Sequence, residues 1–95
     1  MPAVARLGDR EKVHCSTPFR AGHVASVFAN GLPLSCAGHS NTVHLRPAGR
    51  ICVPHTARLS RGSPNVFAEG LNLGRVGDPT CTMVIQGSPN VFANG

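Results

Sequence analysis

One strand ending is written three times in this chain, and it constrains the fold more than any other feature. VFANG occupies residues 27–31, VFAEG 66–70 and VFANG 91–95. Each is a short β-prone run closed by Asn-Gly or Glu-Gly, a hairpin signal. The first two copies lead into similar return strands, GLPLSCAGH from Gly31 to His39 and GLNLGRVGD from Gly70 to Asp78. Aligned on Gly31 and Gly70, Leu32 matches Leu71, Leu34 matches Leu73 and Gly38 matches Gly77. The third copy ends at Gly95 without a return strand, but the chain begins with one. PAVARLGD from Pro2 to Asp9 matches LNLGRVGD from Leu71 to Asp78, with Arg6-Leu-Gly-Asp9 over Arg75-Val-Gly-Asp78.

The economical reading is a closed ring of three β units, 6–31, 36–70 and 75–95, in which Met1–Asp9 supplies the strand that the last unit lacks. Closure removes sheet edges that would otherwise invite aggregation. The units share their first and last strands and differ in the loop between. A body with threefold repetition suits a threefold partner, because equivalent patches can then be engaged together. Phe28, Phe67 and Phe92 are equivalent, and alternation along a strand turns them away from Val27, Val66, Val91 and Ala29, Ala68, Ala93. One set fills the body, so the phenyls are either core or a docking surface.

Composition agrees with short strands and tight turns. Among 95 residues, Gly numbers 11 and Pro 8, only 14% are charged, and four Phe are the only aromatics besides His. No stretch sustains a helical apolar period, so the expected class is mainly β in a single domain, 1–95. The net charge is +5, but the basic residues are scattered as single Arg with one Lys, and little aromatic surface is available for base stacking. Nucleic acid is therefore not an expected partner. No nucleophile elbow, phosphate loop or HExxH occurs, and no enzyme is expected.

The N-terminus lacks the charged and apolar regions of a signal peptide, and no apolar stretch approaches the ~20 residues of a spanning helix. The chain reads as made and kept in the cytoplasm until a non-Sec machine moves it. In that compartment its Cys15, Cys36, Cys52 and Cys81 are expected as thiols or metal ligands rather than disulfides. Arg6 with Asp9 and Arg75 with Asp78 suggest ion pairs. Exposed pairs contribute only about 0–1 kcal/mol, so a turn role for Gly-Asp is the expectation.

At Pro2-Ala-Val-Ala-Arg6, at the Arg-x-Gly-Asp tetrads and at Gly-Ser-Pro-Asn-Val-Phe, the sequence resembles the PAAR-repeat proteins. The likeness spans the chain. It departs at 36–39, where CAGH replaces the tetrad, and at 23–31, where HVASVFANG replaces the Gly-Ser-Pro-Asn version. The resemblance implies a small cone that caps the trimeric β-helical spike of a contractile injection machine, one copy per trimer. Such machines are contractile phage tails and type VI secretion systems, and the tip protein sharpens the spike that pierces the target envelope. Transient contact with a target membrane is implied too. The bare chain reads as a tip without an effector domain of its own, with a slight lean towards the phage. The resemblance also implies a metal, usually zinc, held by three His and one Cys.

Two ligand sets follow from the residues. Spacing alone suggests Cys36-x2-His39 with Cys52-x2-His55, a knuckle-like pattern. The ring register suggests another. His14 lies five residues after Asp9 and His44 five after His39; Met83 holds that position in the third unit. His55 and Cys81 lie seven and six residues before Gly62 and Gly87, at nearly the same depth. The register favours His14, His44, His55 and Cys81, which come from all three units, with Cys15 as a substitute ligand. His23, where other units have Gly62 and Gly87, reads as structural. Four protein ligands leave no open position for water, so the zinc is expected to be structural. The alternative is a small zinc-binding module that holds its ion with the first set and recognises nucleic acid or protein through its cap.

Overall fold

The computed structural model describes residues 1–93. The final Asn94-Gly95 pair, with the end of the third unit, lies outside the described residues. The chain is mainly β, and no helix occurs among the described residues, so none could cross a membrane.

Three two-stranded antiparallel hairpins carry the regular structure. Strand β1 (Phe28–Ala29) pairs with β2 (Leu32–Pro33), β3 (His44–Ala48) with β4 (Ile51–His55), and β5 (Phe67–Ala68) with β6 (Leu71–Asn72). The first and last have two-residue turns at Asn30-Gly31 and Glu69-Gly70. Every one of these four residues has positive φ (57° and 77°, 51° and 78°). That is the primed turn whose twist matches flanking strands, and it explains why VFANG and VFAEG end as they do. The β3–β4 hairpin turns at Gly49, with φ 63°.

Isolated bridges join these pieces. Ala3 pairs with Phe92, Val4 with Arg75, Arg6 with Leu34, and Cys36 with Leu73. The N-terminal segment is stitched to the last described strand through Val4 N to Val91 O (3.0 Å) and Ala93 N to Pro2 O (3.0 Å). At its centre the body closes a cycle of backbone hydrogen bonds: Ala5 N donates to Gly74 O (2.8 Å), Gly74 N to Ser35 O (3.1 Å) and Ser35 N to Ala5 O (3.0 Å). Each of these residues immediately precedes a tetrad. Gly74 is required there, because a Cβ would collide with the Ser35 carbonyl and with Leu59.

The core follows the same alignment. Val4, Leu34 and Leu73 are buried at equivalent positions, as are Ala29, Ala68 and Ala93. The alanines fill the body, whereas Phe28, Phe67 and Phe92 stand 56%, 56% and 48% exposed. The core role considered for these phenyls is therefore overturned: their strand face points outward, as the alternation requires.

The tetrads correct a second expectation. Arg6–Asp9 and Arg75–Asp78 are not exposed pairs. Their side chains are almost wholly enclosed, and each carboxylate accepts from both the guanidinium and the Arg backbone N–H. The turn role is also present, since Asp9 and Asp78 cap Arg6 N and Arg75 N at 2.8 and 2.9 Å. In CAGH, His39 Nδ1 accepts from Cys36 N at 2.9 Å and caps the same turn. The departure in sequence keeps the local geometry with a neutral acceptor.

Candidate metal centre

The loops that differ between units meet above this body. Glu11, Asn41 and Thr80 each lie two residues past a tetrad, and Asn41 and Thr80 both hydrogen bond to Glu11. Asn41 Nδ2 and Thr80 Oγ1 donate to Glu11 Oε1 at 2.9 and 2.7 Å. Glu11 Oε2 accepts from Arg20 Nη1 at 2.8 Å, and both side chains are fully buried. Arg20 occupies the position held by the buried Leu59 and Val84 in the other units, so one unit carries a charge where two carry apolar side chains. Its remaining donors go to Ser35 Oγ (2.9 Å) and His39 O (2.7 Å). A buried ion pair is tolerated only with such complete satisfaction. Sequence reasoning missed this network. Carrying the tetrad alignment two residues further would have pointed to it.

Beside it lies a cluster of His14, His44, His55 and Cys81, with one ligand atom from each residue all within 4.8 Å of one another. His44 opens β3, His55 closes β4, and the two are directly paired across the hairpin. Cross-strand partners present their side chains on one face, which places both imidazoles together. The ring centroids are 4.4 Å apart for His44–His55, 5.3 Å for His14–His55 and 5.8 Å for His14–His44. His14 comes from the turn that bridges to Ser16, and Cys81 from the short loop between Pro79 and Met83. Cys81 Sγ lies 3.3 Å from His44 Nε2. Tetrahedral zinc with nitrogen and sulfur ligands spaces them by about 3.3–3.8 Å, so a small contraction completes the site.

The surroundings prepare the ligands. Thr42 O lies 2.8 Å from His44 Nδ1, and a carbonyl only accepts, so Nδ1 carries the proton and Nε2 faces Cys81 with its lone pair. Asn41 Nδ2 approaches Cys81 Sγ at 3.7 Å. His55 Nε2 is buried and has no hydrogen-bond partner among the described residues, an orphaned polar atom that a metal would satisfy. Burial, reinforced by the His44 and His14 imidazoles and by Arg46, pushes the His55 pKa below its ordinary value. His55 is thus favoured as the neutral imidazole, the form that binds metal. The cluster can hold a metal ion, and its donors fit one.

The knuckle-like set is divided. Cys36 is buried in the body, where desolvation raises its pKa, and His39 is engaged as a turn cap. Cys52 is bonded to Cys15 in a disulfide with Cα atoms 6.2 Å apart, which corrects the expectation that all four cysteines are thiols or ligands. The physical reason is the β3–β4 hairpin, which returns β4 beside the turn that holds Cys15. Cys15 is thereby removed as a substitute ligand too. Met83 is outside the cluster and 41% exposed. His23 bonds through Nδ1 to Val24 O at 2.8 Å.

Comparison with known protein families and with curated proteins found no match to this chain.

Proposed function

We propose that this chain is a non-enzymatic tip that caps and sharpens the trimeric β-helical spike of a contractile injection machine, one copy per trimer. In this reading it is a cone-shaped, pseudo-threefold ring of three β-hairpin units. Phe28, Phe67 and Phe92 line the broad end, and a structural zinc closes the apex. The observation that carries the reading is the hydrogen-bond cycle through Ala5, Ser35 and Gly74, because it joins equivalent residues of three units around one point. The exposed phenyls, at equivalent positions in those units, supply the apolar contact a threefold partner would bury. Three imidazoles and one sulfur suit zinc, and His14, His44, His55 and Cys81 would hold it. The bound ion would tie loops from all three units together and perform no chemistry.

The test is to mix the protein with a trimeric β-helix tip and measure stoichiometry by native mass spectrometry. One copy per trimer supports the proposal. Absence of binding, with salt-sensitive binding to DNA instead, would overturn it in favour of the nucleic-acid module. The location that follows is the tip of a phage tail or of a type VI secretion spike, with assembly in the bacterial cytoplasm and brief contact with a target membrane.

A further inference from the structure

The Cys15–Cys52 disulfide joins two of the three segments that the metal cluster joins. Cys15 follows His14 directly, and Cys52 lies on β4 three residues before His55. Both half-cystines are exposed, so a thiol or disulfide in solution can reach them. Other support for the His14 turn against β3 is thin: Ser16 N to Leu45 O at 3.3 Å and Leu45 N to Ser16 Oγ at 2.8 Å. Cys15 itself sits at φ 76°, a conformation that non-glycine residues rarely adopt and that needs an external hold. The third segment, with Cys81, reaches the first through Lys12 N to Met83 O (2.8 Å) and Thr82 Oγ1 to Lys12 O (2.8 Å).

We propose that this disulfide is a redox latch on the metal. With the bond closed, His14 is held against His44 and His55 before the ion arrives, and affinity rises through preorganisation. Coupling between two sites is reciprocal, so a bound ion must favour the disulfide by the same factor. Closure proceeds by exchange with a small-molecule disulfide. One cysteine thiolate attacks it, forms a mixed disulfide and expels a thiolate. The second cysteine thiolate then attacks the mixed disulfide, forms the Cys15–Cys52 bond and expels the second thiolate, and the two expelled thiolates take up the two protons that the cysteine thiols gave to solution. The protein is oxidised by two electrons and the small disulfide is reduced to two thiols. A chain loaded with metal under reducing conditions would thus lock its ion on entering oxidising surroundings.

This inference rests on the cluster being a metal site, and the experiment separates the two. Zinc affinity is measured by chelator competition for the oxidised protein, for the reduced protein and for the double variant Cys15→Ser, Cys52→Ser. The thiol–disulfide equilibrium with glutathione is measured with and without zinc. The latch requires zinc binding at least about tenfold tighter in the oxidised form, the double variant matching the reduced form, and zinc favouring the disulfide by the same factor. Equal affinity in the oxidised and reduced forms overturns the latch and leaves the metal site standing. Tighter binding by the reduced protein than by the double variant also overturns it, because the free thiols would then be ligands. Failure of any form to bind zinc overturns the metal reading and the latch with it.

Discussion

The body and the loops above it are held together in different ways. The body repeats one solution: a capped tetrad, a primed turn and a buried alanine, linked by backbone hydrogen bonds at equivalent positions. The loops use single devices that occur once: a disulfide, a cluster of metal-ligating side chains and the Glu11–Arg20 ion pair. Repetition spreads stability over many small terms. A unique device concentrates it, so the loops should be far more sensitive to single substitutions.

The largest effect expected is at Glu11. Glu11→Ala leaves Arg20 buried and without its carboxylate, and urea unfolding should show a loss of about 3–5 kcal/mol. Replacing Arg20 by Leu in the same chain, as in the second unit, should recover much of it. A small loss in the single variant would mean that the loops tolerate damage as the body does.

Metal removal follows. If zinc is present at about a thousand times its dissociation constant, it stabilises the fold by about 4 kcal/mol. Chelation or His55→Ala should therefore lower the melting temperature by about 15–30 °C, at about 4–8 °C per kcal/mol for a domain of this size, and loosen the loops but not the body, as hydrogen exchange can resolve. Acid should act in the same direction. The His55 pKa is depressed below its ordinary 6.5, so its contribution is complete above that value and is lost as pH falls through the lower folded value. Unfolding of the metal-free protein measured as pH falls below 6.5 checks this, and stability that does not fall across that range would contradict it.

Within the body, Asp78→Ala should cost about 2–3 kcal/mol, because a buried charge-assisted cap is lost. His39→Ala, at the equivalent turn with a neutral acceptor, should cost only about 1 kcal/mol. Equal losses would show that the guanidinium pairing adds nothing to the cap. The smallest effect is expected at Phe67→Ser, within about 0.5 kcal/mol in stability because the ring is already exposed. Under the proposed function, its effect should appear in binding to a trimeric tip instead.

Much of the body was legible in the sequence because its determinants are local. Asn30-Gly31 and Glu69-Gly70 need positive φ, and turn chemistry reports that directly. Return strands that match across a fixed register place equivalent residues without reference to distant contacts. The same register gathers His14, His44, His55 and Cys81, which is why four residues spread over 68 positions can be grouped from the sequence. It failed where the units stop matching. Nothing local distinguishes Cys15 and Cys52, 37 residues apart, from Cys36 and Cys81; only the return of β4 beside the Cys15 turn does so. Burial is likewise a tertiary quantity. The Arg6–Asp9 and Arg75–Asp78 pairs read as surface charges in a tetrad, and Glu11 and Arg20 as isolated ones, until neighbouring units enclose them.

Sequence alone therefore determined what is set by short-range chemistry and by repetition: strands, primed turns, the matching of repeated segments and the residue types able to bind metal. Tertiary structure alone decided which charges lie inside, which cysteines meet and which face of the VFA strand is covered. The physical reason is that backbone conformation at a turn depends on the residues in it, whereas desolvation and proximity depend on whatever the rest of the chain brings alongside.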